Sequence, residues 1–169
     1  MNIRTEPFLG AAAFGIVVAV VYTVIDTALG YSQSPPSYTA FGNSGSCLIT
    51  LFVGLGSGIL YAFLHRQQAP LTSGAGATGG AAAGGLALLI SGIFGVLVAV
   101  FLVPDVLAQS LAAQGFSPDI ATESQDLLRG SMLLFAGGAA CGLALIGTIM
   151  GAVGGAIGAA LFAESGSNR

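Results

Sequence analysis

Charged residues divide the chain into long stretches that contain none: residues 7–25, 27–64, 67–104 and 130–163. A hydrocarbon core about 30 Å thick takes about 20 apolar helical residues to cross, and each stretch can supply one crossing. The pattern predicts four transmembrane helices over residues 8–29, 46–64, 78–103 and 131–162. Pro7 suits the first turn of the first span. The connection from Gly30 to Gly45 is polar, holds two prolines and carries Tyr31, Tyr38 and Phe41, rings that favour headgroup level. A short turn over 70–76 separates spans two and three, and Pro104-Asp105 is expected to close span three. Residues 105–129 are the most polar part of the chain. Asp105 to Gln114 reads as a short amphipathic helix ending at Gly115. Ser117-Pro118-Asp119 reads as the start of another that leads into span four.

The fold class expected is therefore all-α: a polytopic membrane protein of four transmembrane helices in two tandem hairpins, with 1–169 as one domain. Composition agrees. Hydrophobic residues make up 54%, and the 7% that are charged are too few to cover a water-facing surface. Mean hydropathy is +0.90. The apolar stretch from Phe8 to Ile25 exceeds the usual core of a signal peptide, and no small-x-small cleavage site follows it, so it reads as a retained span. Arginines in short loops set orientation. Arg4, Arg66 and Arg169 fall on one side and only Arg129 on the other, which favours both termini in the cytoplasm of a prokaryotic inner membrane.

The two halves resemble each other. Phe14-Gly15-Ile16-Val17-Val18-Ala19-Val20 matches Phe94-Gly95-Val96-Leu97-Val98-Ala99-Val100, and Asp26 and Asp105 follow the two matches. Cys47-Leu48-Ile49-Thr50-Leu51 has a counterpart in Cys141-Gly142-Leu143-Ala144-Leu145. A parallel internal repeat is the expectation, of the kind that relates halves of some transporters.

Glycines at four-residue spacing are the strongest local signal. Gly54 and Gly58 form one pair; Gly76, Gly80 and Gly84 form a ladder, as do Gly147, Gly151 and Gly155; Gly138 and Gly142 form another pair. Such spacing puts small residues on one helix face and lets backbones approach closely, a glycine-zipper pattern. The expected role is helix packing, first within the bundle and then against a second copy or another subunit. A scaffold or accessory subunit is the leading functional expectation. The rival is a pore or carrier for a small, uncharged solute, with Asp26 and Asp105 as candidate polar sites and Asp26 as a proton or cation site. Ser91 and Thr148 are almost all that spans one, three and four offer as polar groups at mid-depth, which favours the packing role.

Other chemistry is sparse. A net charge of −3 without a basic stripe excludes nucleic acid as a partner, leaving the bilayer, a homo-oligomer or a larger membrane complex. Cys47 and Cys141 lack metal-type spacing and read as small apolar fillers unless they pair. His65, beside Arg66, reads as an interfacial anchor with no second metal ligand in view. Gly74-Ala75-Gly76-Ala77-Thr78-Gly79 fits the dinucleotide pattern G-x-G-x-x-G but follows no strand, so no cofactor is expected. Asp119, Glu123 and Asp126 share one helical face and read as solvated. Arg66-Gln67-Gln68-Ala69-Pro70 resembles the polar loop of rotary ATPase proteolipids. Spans two and four, however, lack the mid-membrane carboxylate that this family requires. No catalytic set of residues can be assembled, and no enzyme is expected.

Overall fold

A computed structural model describes residues 5–32, 44–67, 71–113, 115 and 118–163. Among them the chain is entirely helical: α1 (Thr5–Tyr31), α2 (Ser44–Arg66), α3 (Ser73–Ala113) and α4 (Pro118–Ala163). Each contains a segment long and apolar enough to cross a membrane: Thr5–Leu29, Cys47–Arg66, Ser73–Val98 and Gly137–Phe162. The protein is a four-helix integral membrane protein. Its near end carries the α2–α3 turn, and its far end is where α1 stops and α2 starts.

Local chemistry accounts for the helix ends. Glu6 lies in the first turn of α1 and Arg66 in the last turn of α2, each opposite in sign to the helix dipole at that end. At the far end of α1 the Ser32 backbone N–H donates to the Ala28 and Leu29 carbonyls, and its hydroxyl donates to Leu29 O as well. Thr72 caps α3. Its carbonyl accepts the first helical bond from Gly76 N at 2.9 Å, and its hydroxyl accepts from Ala75 N at 3.3 Å. Because of this cap α3 begins at Ser73, and the turn expected over 70–76 gives up its last four residues to the helix. Beyond α3, Gly115 takes φ 84°, a left-handed conformation that only glycine adopts without cost.

Two expectations about residues 104–129 are corrected. Pro104 does not close span three: α3 runs through it to Ala113, so Asp105 lies inside a helix. Proline removes one N–H, leaving the Val100 carbonyl without its usual partner, but a helix held on both sides of that point can continue. The separate short helix expected from Asp105 is therefore the last part of α3. At 1.5 Å per residue, α3 and α4 are about 60 and 70 Å long, twice the depth of the hydrocarbon. They form a long helical hairpin whose polar ends extend past the apolar segments at the far end. The side chains of Asp105, Asp119, Glu123 and Asp126 lie outside the described residues, as do Tyr38, Phe41, Ser117 and the tail from 164.

The packing is asymmetric. α2 and α3 touch each other; α1 lies against both on one side and α4 against both on the other. Among the described residues α1 and α4 do not touch. A parallel repeat about a central axis would make α1 against α4 the counterpart of α2 against α3, and the packing does not display that equivalence. Only 22% of the α1 segment is buried inside the bundle against 39% of the α3 segment, so α1 is the peripheral helix.

α2, α3 and α4 meet through their glycines in the near half. A Cβ placed on Gly84 would lie 2.5 Å from Gly147 O and 3.0 Å from Gly151 Cα. One on Gly76 would lie 2.5 Å from Gly155 O, and one on Gly58 would lie 2.6 Å from Gly155 N and against Gly151 O. One on Gly80 would meet Gly151 O and reach Gly58 Cα at 3.1 Å, and one on Gly54 would meet Met150 Cβ at 2.7 Å. All three helices thus approach at backbone distance, where dispersion contacts exceed what lipid chains offer. Gly79 leaves room for the Tyr61 ring, which is buried, as is His65. Tyr61 Oη lies 3.4 Å from His65 Nδ1, pairing the two buried side chains at the end of α2. Next to it, the Arg66 guanidinium sits over the Phe63 and Phe162 rings, 4.9 and 4.7 Å from their centroids, tying the ends of α2 and α4 together.

α1 makes its closest approach at Gly15, where a Cβ would meet Ser57 Oγ and lie 2.7 Å from Ala87 Cβ. Ser57 is fully buried, and its hydroxyl has no conventional hydrogen-bond partner among the described residues. The Gly15 Cα–H points at that oxygen, the arrangement of a weak Cα–H···O contact between helices.

Candidate functional site

Towards the far end α3 and α4 stay in close contact, a Cβ on Gly92 lying 3.0 Å from Ala140 Cα. Between the four helices lies a cavity of about 270 Å³. Its polar wall comes from α1, where Ala19, Tyr22, Thr23, Asp26 and Thr27 follow helical spacing along one stripe. α2 contributes Cys47, Ile49, Thr50 and Leu51 from its first turns, and α3 contributes Leu88, Ser91 and Gly95. α4 closes the cavity with Leu143 and Ile146. All four helices contribute, although α1 and α4 do not touch. The cavity occupies the gap that their separation leaves.

Asp26 is half-buried at this cavity, three residues before the end of the apolar segment of α1. At 1.5 Å per residue that is a depth of about 5 Å. Tyr22 and Thr23, one turn before Asp26 in sequence, are the natural candidates to donate to its carboxylate. Thr23 does not: its hydroxyl donates to Ala19 O at 2.9 Å, one turn back. Thr27 likewise donates to Thr23 O at 2.7 Å, and Ser91 to Ala87 O at 2.7 Å. These bonds return the hydroxyl proton to the helix backbone, as Ser and Thr commonly do inside apolar helices. The oxygen lone pairs remain.

Asp105, the other candidate polar site, cannot be placed with Asp26, since its side chain lies outside the described residues. The glycines expected to pack are found between helices: Gly54 and Gly58 of α2, Gly80 and Gly84 of α3, and Gly147, Gly151 and Gly155 of α4. Gly137, Gly138 and Gly142 face outward on α4, with nothing within 4 Å of the point where a Cβ would stand. Ser91 is at the cavity and Thr148 is not. Thr148 sits against Gly85 and donates to Ala144 O at 2.8 Å. Cys47 and Cys141 are both free and exposed, Cys47 beside the cavity and Cys141 on α4. Among the described residues no three His, Cys, Asp or Glu side chains stand close enough to hold a metal ion.

Sequence reading missed the gathering of Thr27, Thr50, Cys47 and Gly95 at one cavity with Asp26. The signal available was the stripe Tyr22, Thr23, Asp26, Thr27, the most polar run of one face in any of the four spans. The class these features define is a small polytopic helical membrane protein with a mainly apolar cavity between its helices that Asp26 borders. Comparisons with protein-family models, with curated proteins and with solved structures found no match.

Proposed function

We propose that the protein is a non-enzymatic membrane carrier whose substrate is a small solute taken up in the cavity beside Asp26. The observation that carries this reading is the cavity itself, bounded by all four helices and holding the carboxylate of the first span. The near half supports a one-ended site rather than an open pore. There the α2–α3–α4 glycine contacts, with Tyr61 and His65, fill the space between helices. In this reading both termini are cytoplasmic, the far end faces outward, and solute enters from outside. The glycine-packed trio is the frame, and the peripheral α1 is the helix able to move.

Ligand stabilisation tests the reading. A solute that binds only the folded protein raises its stability with concentration, by about 2.7 kcal/mol at 100 times Kd. Small neutral solutes such as 2-phenylethanol are expected to raise the unfolding temperature of the wild type in nanodiscs, and Ser91→Phe, which fills the cavity, should abolish the shift. An equal shift in both proteins, or none in the wild type, would overturn the proposal. Flux of the same solute into proteoliposomes distinguishes a carrier from a static binding site.

A second reading, a scaffold or accessory subunit, rests on one observation: the outward Gly138 and Gly142 of α4, flanked by the exposed Leu134 and Leu145. The other ladders are occupied within the chain and offer nothing to a partner. Native mass analysis separates the readings, because a monomer that still binds solute leaves the scaffold role without support.

A further inference from the structure

The wall of the cavity is mainly apolar, with a few oxygen groups set into it. Thr23, Thr27 and Ser91 each commit their hydroxyl proton to a carbonyl of their own helix, at 2.9, 2.7 and 2.7 Å. What they turn towards the cavity is lone-pair density. Asp26 adds a carboxylate, and among the described residues no Arg, Lys or His lines the space. A ligand whose polar end is anionic, or is itself only an acceptor, would find oxygen facing oxygen. A ligand that brings N–H donors and positive charge would meet complementary groups.

The opposite side has different chemistry. Leu88, Leu143 and Ile146 present hydrocarbon. The site is therefore divided, with most of the acceptors along α1 and, Ser91 aside, apolar side chains on α3 and α4. Size sets the scale: a cavity of about 150 Å³ holds benzene, so 270 Å³ accommodates about ten non-hydrogen atoms.

We infer that the cavity binds a small organic ammonium ion, its N–H donors on Asp26 and the Thr23 and Thr27 oxygens and its hydrocarbon part against Leu88, Leu143 and Ile146. This inference rests on the proposed solute-binding role and names the chemical class of the solute. It departs from the uncharged solute of the rival carrier reading and keeps that reading's cation site at Asp26, because the direction of the hydroxyl bonds was not legible in the sequence.

The test uses an isosteric pair on the full-length protein in phosphatidylcholine nanodiscs, with empty nanodiscs as the blank. Calorimetric titration with 2-phenylethylammonium and with 2-phenylethanol is expected to show the ammonium binding about tenfold or more tightly in the wild type. Asp26→Asn should remove that preference, and circular dichroism with thermal unfolding of the variant in the same nanodiscs shows that it still folds. Equal binding of the two solutes to the wild type would overturn the ammonium assignment and leave the solute-binding role standing. A preference that persists in Asp26→Asn would overturn the role given to this carboxylate. If neither solute binds above the blank, the assignment and the underlying function both fail.

Discussion

Glycine spacing reports a face, and the environment decides what that face does. Gly80–Gly84 and Gly138–Gly142 have the same four-residue interval, yet the first pair meets the α4 backbone and the second meets nothing within 4 Å. Gly58→Ala and Gly84→Ala push a methyl into backbone atoms that cannot rotate away. Each is expected to cost about 1–3 kcal/mol, the usual range for overpacking a tight interior. Gly138→Ala should change stability by no more than about 0.5 kcal/mol, as a surface substitution does. Unfolding of the three variants in mixed micelles measures the contrast. The packing glycines could be named from spacing in this way; which of them face other helices could not, since that depends on the rotation of each helix in the bundle. His65 and Ser57 show the same limit. Whether a polar residue in a span is buried against other helices depends on the same rotation, and the helix arrangement buries these two.

At the level of the helices, hydropathy located the spans closely because the bilayer imposes their length. The segments Thr5–Leu29 and Cys47–Arg66 differ by a few residues from the expected 8–29 and 46–64. The ends of α3 were less legible. Thr72 starts the helix five residues before the expected position, and the Pro104 rule that predicted its end yields to a helix continuous to Ala113. Local breaking signals are weak priors when a helix is supported along its length by a long antiparallel neighbour. Proline still costs the helix a hydrogen bond at that point. Pro104→Ala is therefore expected to preserve α3 and to raise stability, by up to about 3 kcal/mol on helix propensity alone. Thermal unfolding followed by circular dichroism checks it, and a loss of helix or of stability would mean that the proline shapes the hairpin.

The whole molecule combines a rigid part and an open part. Glycines draw α2, α3 and α4 together in the near half, α1 joins them through Gly15, and the far half is left with a cavity whose polar wall belongs to α1. The charge-free stretches made the four-helix architecture readable, but the cavity required knowing that α1 and α4 stand apart. Nor does the suggested duplication predict it, since a symmetric bundle would bring those helices together. The two cysteines provide the most direct measurement of whether the cavity takes up solute. Cys47 lines it and Cys141 lies on α4 away from it. Their rates of modification by a small methanethiosulfonate reagent can be followed separately by peptide mass analysis, with and without 2-phenylethanol or 2-phenylethylammonium. The account predicts that at least one of these solutes slows Cys47 several-fold and leaves Cys141 unchanged. Equal rates for Cys47 with and without both solutes would contradict it.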